Sequence, residues 1–143
     1  MPSVRKEFRW EMGHRLPDHP LCKNVHGHSY RAVVEVWGEI GPDGMVIDFG
    51  EIMQLAEPIR SALDHAFALS PDDLAMREFL QKNDLKACEL PFLTTAENLA
   101  GWMAKSFAAK LQGRNLSKVK VTVFETPSSA ATAEQSLVSD QSV

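Results

Sequence analysis

The strictest constraint on this chain is the strict two-residue alternation of its N-terminal run, "EFRWEMGH". Phe8, Trp10 and Met12 fall on one side of an extended backbone, and His14 continues the same parity. The same period returns in "SYRAVVEVWG", where Tyr30, Ala32, Val34 and Val36 share a face and Gly38 closes the run. It returns again in "KVKVTVFE", with Val119, Val121 and Val123 aligned and Glu125 following in register. Strands with one apolar face must be covered on that face, and the sequence between them supplies helices. A chain of 143 residues with 44% hydrophobic and 24% charged content has material for one such core and no more.

The punctuation between the strands sets the order of elements. Pro17, Asp18 and Pro20 mark a loop after the first strand. "GPDG" at Gly41–Gly44 marks a tight turn, from which Met45–Ile47 is expected to return as a short strand. Asp48, with Glu51 three residues on, reads as a capping box. Ile52, Leu55, Ala56, Ile59, Ala62 and Leu63 then repeat at helical spacing, although Pro58 is expected to kink or shorten that helix. A second helix is expected over Pro71–Lys82. A third starts in "TTAENLAGWM", capped by Thr94 and Glu97, with Leu99, Trp102, Met103 and Phe107 inward and Gly113 at its end. From Pro127 the chain turns small and polar. Residues 1–133 are therefore expected to form a single domain and 134–143 a frayed tail. The class is α+β, an antiparallel sheet with helices on one face.

Several functions are disfavoured at once. A net charge of −4 lacks the basic footprint of a nucleic-acid-binding domain. No apolar run approaches the ~18 residues of a membrane span, and the N-terminus has no signal-peptide core, which reads most simply as cytoplasmic. In that setting the two cysteines, Cys22 and Cys88, argue for free thiols and not a disulfide.

The chemistry concentrates in "LCKNVHGHSY". His26 and His28 at i and i+2 point the same way from a strand, as two ligands of one metal must, and Gly27 leaves the backbone between them slim. His14, at the end of the neighbouring strand and on matching parity, is the natural third. Three imidazoles with an open fourth position make a catalytic zinc arrangement. Cys22 stands four residues before His26 and has three readings: a fourth ligand closing a structural site, a thiol beside an open metal, or a small buried residue. His19 is a loop residue, and Cys88 lacks neighbouring ligand types. Asp64 and His65 could form an acid–base pair if the helix ends there, since adjacent helical residues point about 100° apart. Glu125 is either a solvated strand end or a carboxylate able to grip paired N–H donors.

Together, "FRWEMGHRLP", "CKNVHGHSY", "GMVIDFGE", "LDH", "TTAENLA" and "VFET" resemble, in order and from Phe8 to Thr126, the 6-pyruvoyltetrahydropterin and 6-carboxytetrahydropterin synthase family. "MVIDFGE" is closer to the carboxypterin (queuosine-pathway) branch. The resemblance implies a tunnelling fold whose trimeric barrels stack as a homohexamer. It implies Zn2+ on His14, His26 and His28, with Cys22 catalytic, and Asp64 and His65 as an acid–base pair reaching Cys22 from a neighbouring subunit. Glu125 would anchor the pterin ring, and Thr94 and Thr95 would line its pocket. The implied reaction converts 7,8-dihydroneopterin triphosphate to 6-carboxy-5,6,7,8-tetrahydropterin, releasing acetaldehyde and triphosphate. The alternatives are a 6-pyruvoyltetrahydropterin synthase that only eliminates triphosphate, and a non-catalytic zinc-stapled assembly module. Arg15 and Lys23 are candidate cations for the triphosphate. The chain departs from the family pattern at Met12 and Gly13, in a long Ser70–Pro91 segment, and after Thr126.

Overall fold

The computed structural model describes residues 1–138; residues 139–143, part of the expected tail, lie outside the described residues. The two alternating runs form β1 (Ser3–His14) and β2 (His26–Gly38), paired antiparallel along their whole length. Phe8 faces Ala32, Trp10 faces Tyr30, Met12 faces His28 and His14 faces His26. The third run becomes β5 (Leu116–Thr126) on the far side of β2. Phe8, Trp10, Met12, Tyr30, Ala32, Val34, Val36, Val119, Val121 and Val123 all sit at 4% exposure or less, so the alternating face of each run lies in the core.

Helix α1 (Phe49–Leu63) starts where expected, with Asp48 Oδ1 accepting the Gly50 N–H at 2.6 Å. Glu51 does not close the capping box; its carboxylate takes a two-pronged ion pair with Arg114 at the start of β5's approach. Pro58 does not shorten α1, which runs unbroken past it. It is exposed, as is Gln54, so the carbonyl it leaves without a helical partner faces solvent. Helix α3 (Ala96–Leu111) is capped by Thr95 and not by Thr94: Thr95 Oγ1 accepts the Asn98 N–H at 3.2 Å. Leu99, Met103 and Phe107 of α3 and Ile52, Ala56, Ile59 and Leu63 of α1 close over the same sheet face.

The α+β class holds, but four features depart from the expected layout. Residues 45–47 form no strand; a turn closed by the Gly41 N–H to the Met45 carbonyl carries them to α1. Two short strands, β3 (Ala66–Leu69) and β4 (Ala87–Glu89), extend the sheet in parallel beyond β1, making it mixed. Helix α2 (Leu74–Lys82) packs Leu80 and Met76 on Phe67 and Leu69, whereas Ala68 belongs to the main core. Successive strand side chains point to opposite faces, so α2 covers the face away from α1 and α3. Finally, β6 (Ser129–Ser136) pairs antiparallel with β5, carrying the sheet past residue 133, and Leu137 is buried. The six strands run in the order β4-β3-β1-β2-β5-β6. Among the described residues no helix is long and apolar enough to cross a membrane.

Candidate metal centre and active site

The β1–β2 ladder ends at the pair His14 and His26, with His28 one step in and on the same face. Ring centroids lie 4.7 Å apart for His14–His26, 4.9 Å for His26–His28 and 5.4 Å for His14–His28. One nitrogen from each of the three rings falls within 4.8 Å of the others. Gly27 permits this approach: a Cβ there would stand 3.0 Å from the Met12 carbonyl oxygen, closer than the strand pair could keep without shifting.

The tautomers follow from the partners. His14 Nδ1 lies 2.9 Å from the Thr94 carbonyl oxygen, which can only accept, so Nδ1 carries the proton and Nε2 the lone pair. His26 Nδ1 donates in the same way to the Asn24 carbonyl at 2.7 Å. His14 Nε2 is buried without a hydrogen bond, and His28 Nε2 is buried with the Glu125 carboxylate 3.1 Å away beside it. Burial pushes the titration of His14 and of His28 below the ordinary histidine range, opposed at His14 by the Thr94 carbonyl and then Glu125, and at His28 by Glu125. Three imidazoles converging within 4.8 Å, with the His14 Nε2 lone pair unpartnered, are a metal-ligating set, and these residues fit a metal ion.

Cys22 is half-buried in the loop before β2, and its thiol is not in the group of atoms within 4.8 Å of one another. Glu125, at the end of β5, brings Oε1 to 3.1 Å from His28 Nε2. Thr94 is fully buried, and its hydroxyl as well as its carbonyl is turned to His14, at 3.2 Å. Thr95 stands beside it, half-buried and engaged in the α3 cap.

Asp64 and His65 do pair. The α1 helix ends at Leu63 and His65 enters the left-handed region at φ 58°, which sets its Nδ1 3.0 Å from Asp64 Oδ2. The other Asp64 oxygen accepts the Glu11 N–H at 2.9 Å, and this bond, with His65, holds the carboxyl below its ordinary range. The His65 side chain is 77% exposed, in contrast to buried His14 and half-buried His26 and His28.

Arg15 is not a free cation. Its guanidinium grips Asp73, Nε to Oδ2 at 2.8 Å and Nη2 to Oδ1 at 2.7 Å. Tyr30 is more than a strand residue: it is stacked on Trp10 at 5.1 Å and edge-on to His28 at 5.5 Å, with its hydroxyl buried and unpartnered. Burial, then Glu125, pushes its titration far above the ordinary tyrosine value, so the phenol stays neutral. Its parity with His28 was the signal that placed it beneath the site.

Comparison with known proteins identifies the family. The family model for 6-pyruvoyl tetrahydropterin synthase matches residues 3–136. The chain is 35% identical to a 6-carboxy-5,6,7,8-tetrahydropterin synthase of Haemophilus influenzae, covering 90% of this chain and 96% of that protein. It is 33% identical to the protein of the same name from Synechocystis, with 90% and 89% covered. A solved 6-pyruvoyltetrahydropterin synthase of Plasmodium vivax superposes with a TM-score of 0.78 at 19% identity over 95% of this chain and 98% of that one, which shows a shared fold. With its α+β tunnelling fold and a match spanning nearly every residue, the chain belongs to the 6-pyruvoyl tetrahydropterin synthase family.

Proposed function

We propose that this protein is a zinc-dependent 6-carboxy-5,6,7,8-tetrahydropterin synthase, a lyase serving the queuosine pathway in the cytoplasm. The observation that carries this reading is the three-histidine group that leaves Cys22 outside it. Three ligands leave a metal open to substrate, whereas a fourth, thiolate ligand would close it. The choice of branch rests on the relatives from Haemophilus influenzae and Synechocystis.

His14, His26 and His28 would hold Zn2+, whose chemistry when bound is to chelate the side-chain hydroxyls of the substrate and acidify their protons. The Cys22 thiol would move a proton at the side-chain carbons. His65, oriented through Nδ1 by Asp64, would relay it, and its exposure suits delivery into the site of a neighbouring copy in a homohexamer. Glu125 would accept the paired N–H donors of the pterin ring, and Thr94 and Thr95 would form the pocket wall beside it. In balance, 7,8-dihydroneopterin triphosphate and one water give 6-carboxytetrahydropterin, acetaldehyde and triphosphate. With Arg15 committed to Asp73, Lys23 is the remaining candidate for the triphosphate.

Incubating the purified protein with 7,8-dihydroneopterin triphosphate tests this directly. Stoichiometric acetaldehyde and triphosphate are expected. Triphosphate without acetaldehyde would assign the pyruvoyl reaction instead. Cys22→Ala is expected to keep the metal and lose turnover. In the cobalt-substituted protein, an intense thiolate-to-cobalt absorption band would overturn the open site and favour a stapled, non-catalytic centre.

A further inference from the structure

Ser70–Pro91 is the segment that the proposed reaction leaves without a role, and it contains α2 on the sheet face away from the main core. The N-cap of α2 is Asp73, whose side chain is only 2% exposed. A carboxylate so buried needs partners. It accepts the Met76 N–H at 3.4 Å, as a cap does, and both its oxygens take the fork of Arg15. Arg15 follows His14 directly, so opposite parity sends it to the α2 side while His14 points to the metal side.

The remaining guanidinium nitrogen of Arg15 reaches the Lys23 carbonyl at 3.4 Å, on the residue after Cys22. Next to it, the Leu16 N–H donates to the Cys22 carbonyl at 2.8 Å. From within the loop, His19 Nδ1 accepts the N–H of Cys22 at 2.8 Å and of Leu21 at 3.1 Å. Onward, Asn24 holds His26 by its carbonyl. The backbone of Cys22 is thus fixed at its N–H, at its own carbonyl and at the next carbonyl, and the last of these holds runs through Arg15 to α2.

We propose that α2 positions the Cys22 loop through an Asp73–Arg15 clamp, making Asp73 and Arg15 positioning residues. The proposal rests on the reading of Cys22 as the reactive thiol. A planar guanidinium forked onto a buried carboxylate fixes orientation as well as distance, which a lysine cannot reproduce. The clamp ties the start of the loop, beside one metal ligand, to its end, before the next.

The test uses the full-length, metal-loaded protein. Asp73→Ser keeps a capping hydroxyl for α2 but removes the fork, and Arg15→Lys keeps the charge but removes the planar grip. Each is expected to speed amide hydrogen exchange at Leu16 and Cys22 at least tenfold. Each is also expected to lower kcat with 7,8-dihydroneopterin triphosphate by about tenfold to a hundredfold, leaving KM and metal content unchanged, because a misplacement near 1 Å is enough for that loss. The double variant should be no worse than the singles, since both break one clamp. Unchanged exchange in Asp73→Ser would overturn the clamp. Faster exchange with unchanged kcat would overturn its positioning role. Cys22→Ala, run alongside, separates the underlying reading, because full turnover in that variant sinks the reactive thiol itself.

Discussion

His14 owes its usefulness to a residue 80 positions away. The Thr94 carbonyl fixes the proton on Nδ1 and so aims the Nε2 lone pair at the other two rings; the Thr94 hydroxyl, at 3.2 Å against 2.9 Å, is the lesser partner. Thr94→Val should therefore leave the tautomer intact and weaken metal affinity by less than the 10- to 100-fold typical of losing an outer partner. Competition with a chromophoric chelator would measure it, and a larger loss would show that the hydroxyl is the real orienter. Parity and the i, i+2 spacing made His14, His26 and His28 legible in the sequence. Thr94 read as a helix cap because Glu97 stands three residues on, as in a capping box, whereas its neighbour Thr95 is the cap. The fate of Arg15 was illegible, since its partner lies on an element whose face no local pattern reveals.

At the scale of elements, legibility followed the strength of alternation. Strands β1, β2 and β5 each bury one face more deeply than the other, and their boundaries were visible. Strand β3, "AFAL", is buried on both faces and has no alternation to read, while β6, "SAATAEQS", has almost no apolar face and is held by backbone pairing with β5. Pro58 is a second case in which the local rule gave way, because packing on the inner face of α1 outweighs one missing outer hydrogen bond. Pro58→Ala should restore the bond to Gln54 and raise stability by about 1–3 kcal/mol, read as a shift in urea midpoint at constant slope. The α2 cap makes a pH prediction. Arg15, opposed by burial, holds the Asp73 carboxyl below its ordinary value. The unfolded chain therefore takes up the proton first as pH falls. The stability that Asp73 contributes is present above about pH 4 and is lost as pH drops through the depressed folded value. Wild type and Asp73→Asn should differ in melting temperature at pH 6 and converge below pH 4; a gap that widens in acid would refute this sign.

The whole molecule has a histidine cluster anchored on buried His14 and, apart from it, an exposed His65 held by Asp64, a division that makes sense if active sites draw on two copies. Mixing inactive Cys22→Ala and His65→Ala chains, by co-refolding equal amounts, should then restore about one quarter of wild-type activity, the fraction of interfaces with both residues intact. Sites built within one chain would restore none. The long span from His14 to Thr94 has a further consequence, for how the protein forms. The three-histidine group joins the β1–β2 hairpin to residues at Thr94 and Glu125, so most of the sequence must be synthesised and packed before the last of them is in place. Such non-local contacts form late in folding, after the chain has met the entropy cost of closing large loops. Bound metal should consequently act as a latch on the finished structure: it would slow unfolding far more than it would hasten folding.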